Sequence, residues 1–121
     1  MLTDLMKLAT PIHNYIILDM TLKTLERDRQ YISQLKMAPV FDQWYDMQSK
    51  RVFEDMKANR DLLYKAGCKV EKTGADDLVT EYTILFRGHS EVRRYSNIAI
   101  RNGVMEETKR LLGIEYRKPE Q

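Results

Sequence analysis

The side chains with the widest chemical range are few and far apart. The chain has one cysteine, Cys68, and two histidines, His13 and His89. A thiol nucleophile needs a base within hydrogen-bond reach. Only a fold that sets position 68 beside position 89 would supply one, and no local signature marks the pair. No Cys-x-x-Cys, His-Glu-x-x-His or Glu-x-x-His spacing occurs, so a metal lacks its usual local ligand pattern. No glycine-rich phosphate loop follows a strand pattern. These residues point away from catalysis, and no cofactor or metal is expected. Cys68 reads as a small buried hydrophobe, and His13 as a surface or capping residue in the first turn of a helix.

The second chemistry is anion binding. The run "RGHSEVRRYSNIAIRNG", residues 87–103, holds four arginines against one glutamate. Guanidinium forks match phosphate and carboxylate oxygens. On a helix, Arg94 and Arg101 share a face with Asn97 between them. Arg87, Arg93, Arg94, Asn97 and Arg101 are therefore the candidate contacts to an anion or a nucleic acid. Ala99, Gly103, Val104 and Leu112 also sit at positions a helix-turn-helix needs: a small residue, a turn and locking apolar groups. Asn102 and Lys109 spoil that pattern, and Glu106 and Glu107 would meet bases and phosphates with negative charge. The whole chain has 20 Lys+Arg against 18 Asp+Glu, a net charge of only +2, with neither a basic arm nor an acidic tail. A solvated, ion-paired face is the plainer reading of the arginines.

The third feature is a concentration of interface residues. Seven methionines and seven tyrosines occur in 121 residues. Phe41, Trp44, Tyr45 and Met47 crowd almost the whole circumference of one helix start, so they cannot all face one core. Aromatic side chains and methionine are favoured at protein interfaces. They form the candidate partner surface.

The elements that must position these groups follow from periodicity. Thr10-Pro11 marks a helix start. Ile12, Tyr15, Leu18, Leu22, Leu25, Ile32 and Leu35 continue an apolar stripe to about Lys36, interrupted at Arg29. A short helix over 1–9 precedes it at an angle. After Pro39, the residues Phe41, Tyr45, Val52, Met56 and Leu63 predict a second long helix, ended by Gly67 in a left-handed cap. The two make an antiparallel helical hairpin over 1–66. From Gly67 the period becomes two, which predicts a small β-hairpin over 67–88 that pairs 68–72 with 78–87. Ser90 is a candidate N-cap for a helical segment over 89–113. There the stripe of Val92, Tyr95 and Ala99 opposes that of Val104, Leu111 and Leu112. The reversal predicts a break at Asn102-Gly103, with helices at 90–101 and 104–112 and Gly113 as the final cap. Residues 114–121 read as a frayed tail.

The expected fold is α+β, mainly α: one domain over 1–121, with a long antiparallel helical hairpin, a small β-hairpin and a broken C-terminal helical segment. No apolar run approaches the roughly 20 residues that span a bilayer, and no signal-peptide layout or disulfide pair appears. Together these imply a cytoplasmic protein with no membrane partner. The expected function is non-catalytic binding or regulation through protein–protein contact, as a homodimer. The alternative is nucleic-acid binding through 87–110.

Overall fold

The computed structural model describes residues 2–114 and is mainly helical α+β, with one antiparallel sheet. Its helices are α1 (Leu2–Met6), α2 (Ala9–Arg29), α3 (Ala38–Lys65) and α4 (Asn97–Leu112). A 3-10 turn, Ile32–Gln34, joins α2 to α3. Strands β1 (Cys68–Ala75), β2 (Val79–Phe86) and β3 (His89–Ser96) form a meander in the order β1-β2-β3. No helix among the described residues is long and apolar enough to cross a membrane. The tail expected from 114 onward lies outside the described residues after Ile114.

The helical hairpin is as its stripes predict, and its partners show the antiparallel sense. Ile12 and Ile16 at the start of α2 share a core with Leu63 at the end of α3. Leu18 and Leu25 further along α2 meet Val52 and Met56 nearer the start of α3. The ends differ from expectation. Thr10 does not cap α2, which begins at Ala9 behind Leu8 with no side-chain cap bond. Pro11 sits in the first turn, where its missing N–H costs nothing. At the other end α2 stops at Arg29 rather than near Lys36. Ile32 still reaches the core, but through the 3-10 turn, while Leu35 is extended and exposed. Arg29 instead ties the turn together: its Nε lies 2.8 Å from Asp42 and its Nη1 3.6 Å from Asp46.

The sheet has three strands, not two. Residues 89–96, expected to be helical, pair in unbroken antiparallel register with β2 from Phe86↔His89 to Val79↔Ser96. The turn explains why. Arg87 and Gly88 both have positive φ, 48° and 85°. That is the two-residue primed turn whose twist suits a hairpin, so Gly88 opens a third strand and does not merely end the second. Ser90 consequently lies in β3, and Ser96 is the N-cap of α4, accepting from the Ala99 N–H at 3.5 Å.

The expected break at Asn102-Gly103 is also absent. Helix α4 runs unbroken from Asn97 to Leu112, and Gly113 (φ 72°) caps it as expected. The apparent stripe reversal arose from counting Val92 and Tyr95 as helical. Without them, Ile100, Val104 and Leu111 fall on one buried face. Gly103 is there for closeness, not for a turn. A Cβ built on it would stand 2.5 Å from Ile17 Cδ1 of α2.

One sheet face is covered by helices. Thr80, Tyr82, Ile84 and Phe86 of β2 are buried, together with Cys68 and Val70 of β1. The alternate residues of β2, including Glu81, Thr83 and Leu85, face the other way.

Candidate interaction surface

The stripe that α4 buries leaves a second one on its flank. Met105 and Leu112, seven residues apart, stand on one side of the Ile100–Val104–Leu111 face. They look across a groove of about 1150 Å³ toward Met20 and Leu25 of α2 and Phe41, Trp44 and Tyr45 of α3. Ala75, Asp76 and Thr80, at the tip of the β1–β2 hairpin, also line it. Helix α3, which has Pro39 in its first turn, supplies the aromatic wall from its N-terminal half. Trp44 and Tyr45 meet edge to face, with ring centroids 5.1 Å apart and planes at 81°, an arrangement aromatic pairs prefer. Burial raises the Tyr45 phenol pKa, with a further push from Asp28.

The threonine hydroxyls and the asparagine amide of the groove are already committed inward. Thr24 Oγ1 donates to the Met20 carbonyl and Thr108 Oγ1 to the Val104 carbonyl, both at 2.8 Å. Thr80 Oγ1 donates to Asn97 Oδ1 at 2.6 Å, and Asn97 Nδ2 donates to the Asp76 carbonyl at 2.8 Å. Asp76 accepts the N–H groups of Leu78 and Val79, which hold its carboxyl below the usual range. Its walls turn large apolar side chains outward: Val40 is 62% exposed, Phe41 45%, Met105 49% and Leu112 51%. Around the rim stand Arg27, Lys72 and Arg101, none with a carboxylate within ion-pair distance among the described residues, together with Lys109 and the acidic Asp28.

Of the candidate partner residues, the fold brings Phe41, Trp44 and Tyr45 into this groove and leaves Met47 outside it, exposed on α3. Pattern reading missed the opposite wall. Met105 and Leu112 carried the signal, as apolar residues off the main stripe of their helix. It was obscured by the mistaken break at Gly103.

The candidate anion contacts do not converge. Arg87, in the β2–β3 turn, lies 3.1 Å from Asp4 and stacks over Phe86 with its guanidinium 4.9 Å from the ring centroid. Arg93 lies on the helix-facing side of β3 and meets Glu91 at 3.3 Å. Arg94 points to the opposite side and pairs with its cross-strand neighbour Glu81 at 3.6 Å. Asn97 is spent on the hairpin bonds given above. Only Arg101 and Asn97 line the groove.

Cys68 and His89 do share one row of the sheet, but Phe86 stands between them. Two strand spacings separate their backbones by roughly 10 Å. Cys68 is buried, and burial pushes its thiol pKa up, with Arg93 pulling the other way. A neutral, covered thiol reacts slowly. We expect a maleimide to label the native protein only at the rate of unfolding. Rapid stoichiometric labelling without denaturant would contradict the packing. His13 is exposed on α2. Among the described residues, no three His, Cys, Asp or Glu side chains are grouped to hold a metal ion.

Residues 8–116 match the model of the YhjD protein family, which is most of the chain. The chain belongs to the YhjD family. No curated protein and no solved structure matches it. The span shared with the YhjD family takes in every element that lines the groove and leaves α1 outside.

Proposed function

We propose that this YhjD-family chain is a non-catalytic, cytoplasmic binding or regulatory protein that acts through protein–protein contact, as a homodimer, and that the groove between α2, α3 and α4 is its partner surface. One observation carries the reading: a wide, largely apolar groove whose threonine hydroxyls and Asn97 amide are bonded inward. A site for a small polar substrate keeps a few polar groups free to orient it. Here recognition rests on area and shape, as in a groove that receives the apolar face of a helix. The cationic rim favours acidic residues flanking that face.

The experiment is site-specific photo-crosslinking in a lysate of the source cells. A photoreactive residue replaces Phe41 or Met105, and the exposed Tyr64 on α3 serves as control. A single protein adduct shared by the two groove positions and absent at Tyr64 is expected. Adducts equally diverse at all three positions would defeat the proposal.

Nothing in the geometry favours the nucleic-acid alternative. The segment 87–110 is strand, then one unbroken helix, and four of its five arginines, all but Arg101, are ion-paired. We expect no binding of duplex DNA or single-stranded RNA below about 10 µM, even at low salt, against the strong, salt-sensitive affinity that several phosphate contacts confer. Tight binding that disappears in the Arg94→Glu/Arg101→Glu double variant would reverse this conclusion.

A further inference from the structure

The sheet has two edges, and they are not equivalent. Strand β1 is interrupted by a bulge between Lys72 and Gly74 and carries two lysines, Lys69 and Lys72. Bulges and edge lysines are among the devices that keep an edge strand from pairing further, as are charges on the covered face, which a partner strand of complementary charge can satisfy. Strand β3 has neither of the first two. It runs eight residues, His89–Ser96, in unbroken register, without proline, glycine or lysine. Its charges are of both signs.

The direction of its backbone groups follows from the register. The Asn97 N–H donates to the Leu78 carbonyl at 2.9 Å. Because antiparallel pairs alternate between hydrogen-bonded and non-hydrogen-bonded, His89, Glu91, Arg93 and Tyr95 bond to β2. Ser90, Val92, Arg94 and Ser96 direct their N–H and C=O groups away from the sheet.

We propose that β3 is the dimer edge: two copies pair β3 to β3, antiparallel, about a two-fold axis at Val92, into a continuous six-stranded sheet. The charges select that register. With Val92 opposite Val92, Glu91 of each copy faces Arg93 of the other on the helix-covered side, and Ser90 faces Arg94 on the open side. The existing Glu91–Arg93 pair at 3.3 Å then becomes a ring of four alternating charges. A slip to the next allowed register in one direction sets Glu91 against Glu91. A slip in the other direction sets Arg93 against Arg93. Like charges directly opposite destabilise a strand pair. The two-fold arrangement is the one a self-complementary surface requires. The inference rests on the homodimer part of the proposed function and leaves the groove, on other elements, open to its partner.

Sedimentation equilibrium of the full chain tests it, with four variants. Val92→Pro removes one outward N–H that β2 does not use, at an edge position where proline is tolerated. Its far-ultraviolet circular dichroism is expected to stay unchanged while the dimer weakens at least roughly tenfold. Glu91→Arg and Arg93→Glu are each expected to weaken the dimer roughly tenfold or more, and the double exchange Glu91→Arg/Arg93→Glu to restore it to within about threefold of wild type. A dimer unaffected by Val92→Pro, or not restored by the double exchange, overturns the β3 edge while leaving the homodimer standing on another surface. A wild-type protein that stays monomeric at high micromolar concentration overturns both.

Discussion

Replacing Tyr82 with alanine is expected to leave little folded protein at 37 °C, whereas Tyr82→Phe is expected to make it more stable. Tyr82 is 0% exposed, the largest fully buried side chain, and central to the core that β2 shares with α2, α3 and α4. It also stands edge to face with Tyr95 of β3, with centroids 5.8 Å apart. Large-to-small changes of buried aromatics cost about 3–5 kcal/mol, a large part of the roughly 5–15 kcal/mol that holds a domain together. The hydroxyl runs against the rest of the side chain. It is buried with no hydrogen-bond partner among the described residues. Burial, with Asp19 adding to it, holds the phenol far above its ordinary pKa. It therefore stays neutral and pays a desolvation cost with no compensating bond. Deleting it keeps the ring and its contact with Tyr95 and is expected to gain about 1 kcal/mol. Thermal denaturation of the two variants beside wild type reads both signs. A destabilised Tyr82→Phe would show that the hydroxyl is bonded.

Gly103→Ala gives the second large effect, and its sign separates two accounts of the same glycine. In an unbroken helix, alanine is favoured over glycine by about 1 kcal/mol. Against this stands Ile17, whose Cδ1 lies 2.5 Å and Cγ1 3.2 Å from the Cβ that alanine would bring. Ile17 is itself buried, and overpacking a closed contact costs about 1–3 kcal/mol. The net expectation is a loss of about 1 kcal/mol. Ile17→Val removes the Cδ1 methyl, so in that background Gly103→Ala is expected to be neutral or stabilising. The double-mutant cycle then gives a coupling of about 1–2 kcal/mol between α2 and α4. Equal effects in both backgrounds would show that the helices do not touch there.

These two residues also mark what could be read from pattern alone. The long helices were legible because Ile12, Leu18, Leu25, Val52, Met56 and Leu63 repeat at helical spacing over many turns. Strand β2 was legible because Tyr82, Ile84 and Phe86 alternate with polar or exposed residues. Strand β3 was not. Its run "HSEVRRYS" has one exposed edge and an open face, so only Val92 and Tyr95 are apolar, they fall on opposite faces, and no apolar alternation marks the strand. The decisive signal was the Arg87-Gly88 turn, where a non-glycine residue takes positive φ at the first position. A helix over 90–101 would bring the apparent stripe reversal with it and make Gly103 a turn residue. The close approach of Ile17 belongs to tertiary packing that no local window contains. The groove was half legible for the same reason. Phe41, Trp44 and Tyr45 lie close together in sequence, while Met105 and Leu112 meet them only through the packing of α4 on α2.

The partner surface is tested most directly by calorimetry with the protein captured at Phe41 and Met105. Trp44, the only tryptophan of the chain, lies in the groove wall and reports occupancy independently. Titration into wild type is expected to give saturable binding with a negative heat-capacity change, the mark of buried apolar surface, and a blue shift of the Trp44 emission. Met105→Asp, which replaces an apolar wall residue by a charge, is expected to weaken that binding at least roughly tenfold, with the fold intact. Equal affinity for wild type and Met105→Asp, with no change in Trp44 emission, would contradict the groove as the site of action.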